Sequence, residues 1–216
     1  MHETFVSTKT TKSNRGGALA AQRERATATR ACLLVAAREL FAEAGYHATG
    51  TTEIVSRAAV TRGALYHHFS DKEQLFAEVF SIVAEELVSR SNSAVAPLSG
   101  ELWTQVIAAF SQYLNLVSSN EEYQRILLID GPVVLGWARW RALQAEFVAT
   151  GTAAALRLLI KQGIVAPQPA EPMANLIQAA LNDVALTIAH SPQTSQAGGE
   201  AIAAFLSLLQ GLRQKD

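Results

Sequence analysis

The stretch VTRGALYHHF, residues 60–69, gathers an arginine, a tyrosine and two adjacent histidines beside the small residues Gly63 and Ala64. Such a set can ligate a metal, serve acid–base chemistry, or present donors to a polyanion. Metal binding fits poorly. Neighbouring residues on a helix project about 100° apart, so His67 and His68 do not readily share one ion. No catalytic set accompanies them: there is no G-x-S-x-G, no phosphate loop and no GxGxxG. The acidic pairs Glu85/Glu86 and Glu121/Glu122 read as solvated helix faces, and Cys32 as a small buried residue. No catalytic residue, metal site or cofactor is expected. A surface built to touch a partner remains.

The elements around this stretch are short helices. Leu33, Ala37, Leu40, Phe41 and Ala44 form one apolar stripe that predicts a helix over 27–44, closed by Gly45. A short helix over 51–58 carries Ile54, Val55 and Ala58, and a second runs over 62–68 with Leu65 and Phe69 facing inward. SDKE, residues 70–73, reads as a capping box, with Ser70 as N-cap and Glu73 reaching back. Two short helices joined by a tight turn are a helix-turn-helix signature, whose second helix enters the major groove. Charge agrees in sign. Residues 1–76 hold ten Lys/Arg against seven Asp/Glu, while the whole chain carries a net charge of −1.

The segment TTEIVSRAAVTRGALYHHFSDKEQLFAEVF resembles the DNA-binding part of the tetracycline-repressor (TetR) family, over about residues 28–80. Ile54, Ala58, Val60, Thr61, Gly63, Tyr66, His68, Phe69, Lys72 and Leu75 carry the match. The resemblance implies DNA contacts from Thr51, Thr52, Thr61, Arg62, Gly63, Ala64, Tyr66, His67 and Lys72. In it Arg62 reads guanine and Lys72 clamps a phosphate. Two positions depart from the family pattern. Ala59 stands where a turn glycine is usual, and Val55 where alanine is. A left-handed alanine costs on the order of 1 kcal/mol.

The whole chain reads as all-α, about nine helices, with 216 residues that are 49 % apolar and 17 % charged. Residues 1–23 are expected to be a disordered arm, whose Lys9, Lys12 and Arg15 either touch phosphate or are simply solvated. A helix-turn-helix domain over 24–71 and an effector-binding and dimerisation domain over 72–216 complete the organisation. No run of about 18 continuous apolar residues occurs, so no membrane partner is expected, and the N-terminus lacks an apolar leader segment, so a cytoplasmic protein is expected.

Within residues 72–216, Trp137, Trp140, Arg141 and Gln144 lie along one side of a helix that Pro132 opens. They read either as core or as walls of a ligand cavity, together with Trp103, Phe110, Tyr113 and Leu127. The resemblance favours the cavity, with a partly apolar small-molecule effector. The last two long helices are apolar on more than one side. Leu176, Ile177, Ala180, Leu181, Val184, Ile202, Phe205, Leu206 and Leu209 are expected to form a homodimer interface. The function expected is an effector-responsive repressor that binds double-stranded DNA at a roughly palindromic operator. The alternative is a helical small-molecule binding protein with a vestigial DNA-binding head.

Overall fold

The computed structural model describes residues 11–93, 101–190 and 196–214, without the side chains of 11–16, 18 and 19. Among these the only strand-like feature is an isolated bridge between Val165 and Arg213. The helices are α1 (Thr11–Ala44), α2 (Thr51–Arg57), α3 (Arg62–His68), α4 (Lys72–Ser93), α5 (Leu102–Ser119), α6 (Glu121–Tyr123), α7 (Gly131–Gln144), α8 (Thr150–Lys161), α9 (Ala170–His190) and α10 (Gln196–Gln210). One core runs through the chain, from Leu33 and Phe41 in α1 through Phe76 and Phe80 in α4 to Phe205 and Leu209 in α10. The helix-turn-helix therefore packs on the bundle rather than hanging from a linker.

Several expectations change. α1 starts at Thr11, so residues 11–23 continue the helix instead of forming an arm. Residues 20–25 are exposed there. Their Ala, Gln, Arg and Glu are good helix formers, so propensity and not burial explains the extension. Residues 1–10, with Lys9, and the side chains of Lys12 and Arg15 lie outside the described residues. Cys32 is exposed, on the outer side of α1 beside buried Leu33. The acidic pairs are only partly solvated. Arg38 holds Glu122 through two nitrogens at 2.6 and 2.9 Å and Glu86 at 2.8 Å, tying α1 to α4 and α6.

The cap of α4 moves by one residue. Asp71 Oδ1 accepts from the Gln74 N–H at 2.7 Å, and Gln74 Oε1 accepts from the Ser70 N–H at 2.7 Å. A carboxylate suits the positive end of a helix better than a hydroxyl does. The Gln74 backbone bond, and after it the Ser70 hydroxyl, holds the Asp71 carboxyl below its usual range.

Helices α6, α7 and α8 form one run, Glu121–Lys161, joined by two wide π-type stretches at Gln124–Asp130 and Ala145–Ala149. This run has the length and apolar composition of a membrane span. However, Gly136 breaks it with φ 72°, and Trp140 Nε1 donates to the Leu127 carbonyl at 2.7 Å across the bend. Gly131 has no room for a side chain: a Cβ there would stand 2.9 Å from both Phe80 and Trp140. Pro132 lies in the first turn of α7, as its position in the sequence predicts.

Ala59 adopts φ 54°, the left-handed turn conformation that its place between α2 and α3 requires. The strain is relieved by glycine. Ala59→Gly is expected to stabilise the fold by up to about 1 kcal/mol, raising Tm by about 2–4 °C in a thermal melt. A lower Tm would show that the turn gains nothing from the change.

Candidate DNA-reading surface and helix-bundle cavity

Three local devices build the helix-turn-helix. Gly45, at φ 83°, closes α1, and its N–H bonds the Phe41 carbonyl at 3.0 Å. Thr49, buried, spends its hydroxyl on the Gly45 carbonyl at 2.8 Å and the Leu40 carbonyl at 3.2 Å. Thr61 caps α3 by accepting from the Ala64 N–H at 3.2 Å. Leu65 and Phe69 then anchor α3 by full burial, and Arg30 lies over the Phe69 ring and pairs with Glu78.

The opposite side of α3 faces outward. Thr52, Thr61, Arg62, Gly63, Tyr66 and His67 are exposed, and Thr51 and Ala64 are half-buried beside them. The Arg62 guanidinium lies 5.7 Å from the Tyr66 ring centre. Hydrogen bonding with Arg62, then with Thr51, pulls the Tyr66 hydroxyl below its ordinary pKa. These three residues from two helices therefore form one polar cluster. A Cβ on Gly63 would meet only Thr61 Oγ1, at 3.9 Å. The protein's own packing does not demand a glycine there. Burial, then the charges of His67 and Arg30, lowers the pKa of His68.

Lys72 is the exception within the expected surface. Its ammonium donates to the carbonyls of Tyr46 and Thr49, both at 2.9 Å, and sits 4.0 Å from the Tyr46 ring centre. Burial depresses its pKa. Lys72 is thus an internal brace for the α1–α2 loop and not a free phosphate clamp. Asp130, nine-tenths buried at the end of the first wide stretch, grips the same loop by accepting from the Tyr46 N–H at 2.8 Å.

A cavity of about 270 Å³, open to solvent on one side at Asn92 and Gly151, lies between α4, α5, α8, α9 and the second wide stretch. Phe110, Tyr113, Val88, Val106, Phe147 and Val148 supply apolar wall, and Ser91, Asn92, Gln105 and Thr152 are its polar residues. Among the described residues, no Asp, Glu, Lys or Arg lines it. The Ser91 and Thr152 hydroxyls already donate to the Leu87 and Val148 carbonyls. Burial pushes the Tyr113 phenol far above its usual range, which keeps it neutral.

Two expected wall residues, Phe110 and Tyr113, are in place, and Trp103 lines a smaller neighbouring cavity. Leu127, Trp137, Trp140, Arg141 and Gln144 line neither. Trp137, which directly follows the Gly136 break, is 59 % exposed, and Arg141 is exposed as well. Trp140, Leu127 and Gln144 are core, with the Trp140 N–H consumed by Leu127. The sequence offers no signal for Ser91, Asn92, Gln105 or Thr152, which sit within ordinary amphipathic helices.

Residues 33–79 match the family described as bacterial regulatory proteins, tetR family, and residues 103–212 match the tetracyclin repressor-like C-terminal domain. The Transposon Tn10 TetC protein of Escherichia coli is 25 % identical over 90 % of this chain and 97 % of its own length. The transcriptional activator FasR of Mycolicibacterium smegmatis is 33 % identical over 44 % of this chain and 43 % of its length. The crystal structure of a TetR-family regulator from Pectobacterium atrosepticum is 32 % identical, with a TM-score of 0.74 over 89 % of this chain and 98 % of that one. Matched at both the DNA-reading helices and the C-terminal bundle, this chain belongs to the TetR family of helix-turn-helix, DNA-binding transcriptional regulators.

Proposed function

We propose that this chain is a homodimeric repressor that reads a roughly palindromic operator in the cytoplasm and is released by an uncharged, largely apolar effector. The observation that carries the DNA half is the polar outer face of α3, braced from behind and open at Gly63. Thr51, Thr52, Thr61, Arg62, Gly63, Ala64, Tyr66 and His67 form the contact surface, with residues 24–71 as the reading unit. A glycine unneeded by internal packing fits a helix that must approach a groove closely. Arg62 offers two donors to guanine O6 and N7, while Tyr66 serves phosphate.

Residues 72–216 hold the effector and the dimer contact. Charged ligands are disfavoured, because the described residues that line the cavity supply no countercharge to offset their desolvation. The dimer face differs from the sequence expectation. Ile177, Leu181, Val184, Phe205 and Leu209 are buried within one protomer and are unavailable to a partner. Ala180, Ile202 and Leu206 are half-buried. Leu176, 66 % exposed on α9, and Leu208, 58 % exposed on α10, offer apolar surface that a second copy would cover. Two α3 helices related by a two-fold then meet successive major grooves.

The route from cavity to DNA lies along the Glu121–Lys161 run. Phe147 and Val148, in one wide stretch, line the cavity, and Asp130, closing the other, holds the loop that leads into α2. An effector that shifts this run reorients α2 and α3, and a coupling of about 1–3 kcal/mol suffices to release DNA.

Three measurements test the reading. In anisotropy titrations at two salt concentrations with DNA flanking the gene, Arg62→Ala is expected to relax sequence choice by about 1–3 kcal/mol at one base pair. In the same titrations Tyr66→Ala should weaken all sequences alike. Operator binding unchanged in both variants rejects the DNA surface. Asp130→Ala strands the Tyr46 N–H, and is expected to cost about 1–3 kcal/mol in urea unfolding and to weaken operator binding. Stability equal to that of the parent protein rejects the brace. The pair Leu176→Glu/Leu208→Glu is expected to sediment as a monomer, and a surviving dimer places the interface elsewhere.

A further inference from the structure

The larger cavity has a mouth and a floor. Asn92 and Gly151 are exposed at the mouth, whereas Ser91, Phe110, Tyr113, Thr152 and Leu181 are buried. Three of these buried residues carry hydroxyls. Ser91 donates to the Leu87 carbonyl at 2.7 Å and Thr152 to the Val148 carbonyl at 3.0 Å, so both protons are committed to backbone one turn away. The Tyr113 hydroxyl is different. The residue is only 4 % exposed, yet its hydroxyl has no hydrogen-bond partner among the described residues. Burial alone raises its pKa, with no hydrogen bond or charge contributing. Nor is the oxygen sealed in: the fully enclosed, unpaired side-chain atoms among the described residues are Trp103 Nε1, Gln144 Nε2 and Gln178 Oε1. Tyr113 lines the cavity, so the surface its hydroxyl keeps opens there. The Tyr123 hydroxyl shows the contrast. Also buried, it accepts from Arg90 at 2.9 Å and donates to Glu86 at 3.0 Å. Buried hydroxyls are normally paired in this way, and an unpaired one is costly.

Resting on the reading of this cavity as the effector site, we infer that the Tyr113 hydroxyl is its specificity-determining donor, and that the effector presents one neutral oxygen acceptor to it at the buried end. A phenol donates better than it accepts, because its oxygen lone pair is drawn into the ring. The phenol stays protonated, so the proton is there to give. The ligand's body is apolar and lies against Val106, Phe110 and Phe147. A ketone, ester or ether oxygen meets the hydroxyl without bringing charge into the site. A carboxylate is a poor match, because no cation among the described lining residues offsets its desolvation. A hydrocarbon of the same shape fits the walls but leaves the hydroxyl unpaired.

The test uses the full-length protein and Tyr113→Phe, which removes the hydroxyl and keeps the ring. Without ligand, the variant is expected to melt at the parent Tm or above it, because the hydroxyl bonds nothing within the protein. A Tm lower by about 2–4 °C, the loss one hydrogen bond would cause, shows a protein partner and overturns the inference. Two probes of matched shape then read the site: 4-phenylbutan-2-one and its alkene analogue, in which a methylene group replaces the carbonyl oxygen. Calorimetric titration gives the ratio of their affinities. The preference for the ketone is expected to fall about three- to tenfold in the variant, the order that one hydrogen bond supplies, with the alkene's affinity nearly unchanged. In difference infrared spectra, the isotope-labelled carbonyl of the bound ketone is expected to absorb at lower wavenumber in the parent protein than in the variant. An affinity ratio and a carbonyl band that are the same in both proteins overturn the role of Tyr113 while leaving the cavity as a ligand site. Binding of neither probe overturns both.

Discussion

The loop from Gly45 to Gly50 is the constraint on which the DNA-reading half depends. α1 ends there, and the backbone groups of the turn beyond it must find partners outside the helical ladder. Lys72 donates from α4 to the Tyr46 and Thr49 carbonyls, the Thr49 hydroxyl lies against those of Gly45 and Leu40, and Asp130 takes the Tyr46 amide from the bundle side. A cation near a helix C-terminus is favoured by the helix dipole as well. The loop is therefore set by two opposite charges approaching from different helices. The direction in which α2 leaves, and hence the face that α3 presents, is fixed by groups that never reach the solvent side of α3.

The helix-turn-helix is legible in the sequence because its determinants are local. Gly45 and Thr61 act within a few residues of their own position, and Leu65 and Phe69, though they pack into the shared core, are marked by their spacing of four, so type and spacing suffice. Ala59 is likewise where a left-handed residue is needed. Lys72 marks the limit: its place in the pattern is readable, but its partners lie 23 and 26 residues away, and they turn an apparent phosphate ligand into a brace. The C-terminal half is legible as helices but not as a site. Trp137 and Trp140 are three residues apart and their rings do lie side by side, 5.0 Å between centres, but one belongs to the core and the other to the surface, and spacing alone does not show that no cavity lies beside them. The stripes on α9 and α10 suggest a partner's surface, yet their larger members, such as Ile177 and Phe205, serve the protomer's own core.

The two wide stretches give the Glu121–Lys161 run contacts at both ends of the protein. A π-type turn inserts a residue into the helical register, which rotates the downstream helix and loosens the backbone bonds at that point. One of these stretches ends at the α1–α2 loop and the other lines the cavity, with α7 carried between them. α7 is itself bent at Gly136, and Trp140, bonded to the Leu127 carbonyl, ties its second half to the first wide stretch.

The three indoles occupy three distinct environments, and this makes the protein a spectroscopic instrument. Trp137 and Trp140 have ring centres 5.0 Å apart, one in water and one in the core. Excitation absorbed by the buried ring passes to its exposed neighbour, so the pair emits as a single red-shifted source with little sensitivity to the cavity. Trp103, remote from that pair in sequence and enclosed beside the cavity, contributes the blue-shifted component. A change in the surroundings of Trp103 would therefore register in the short-wavelength edge of the intrinsic emission, and one in the surroundings of Trp137 in the long-wavelength edge, without any added label.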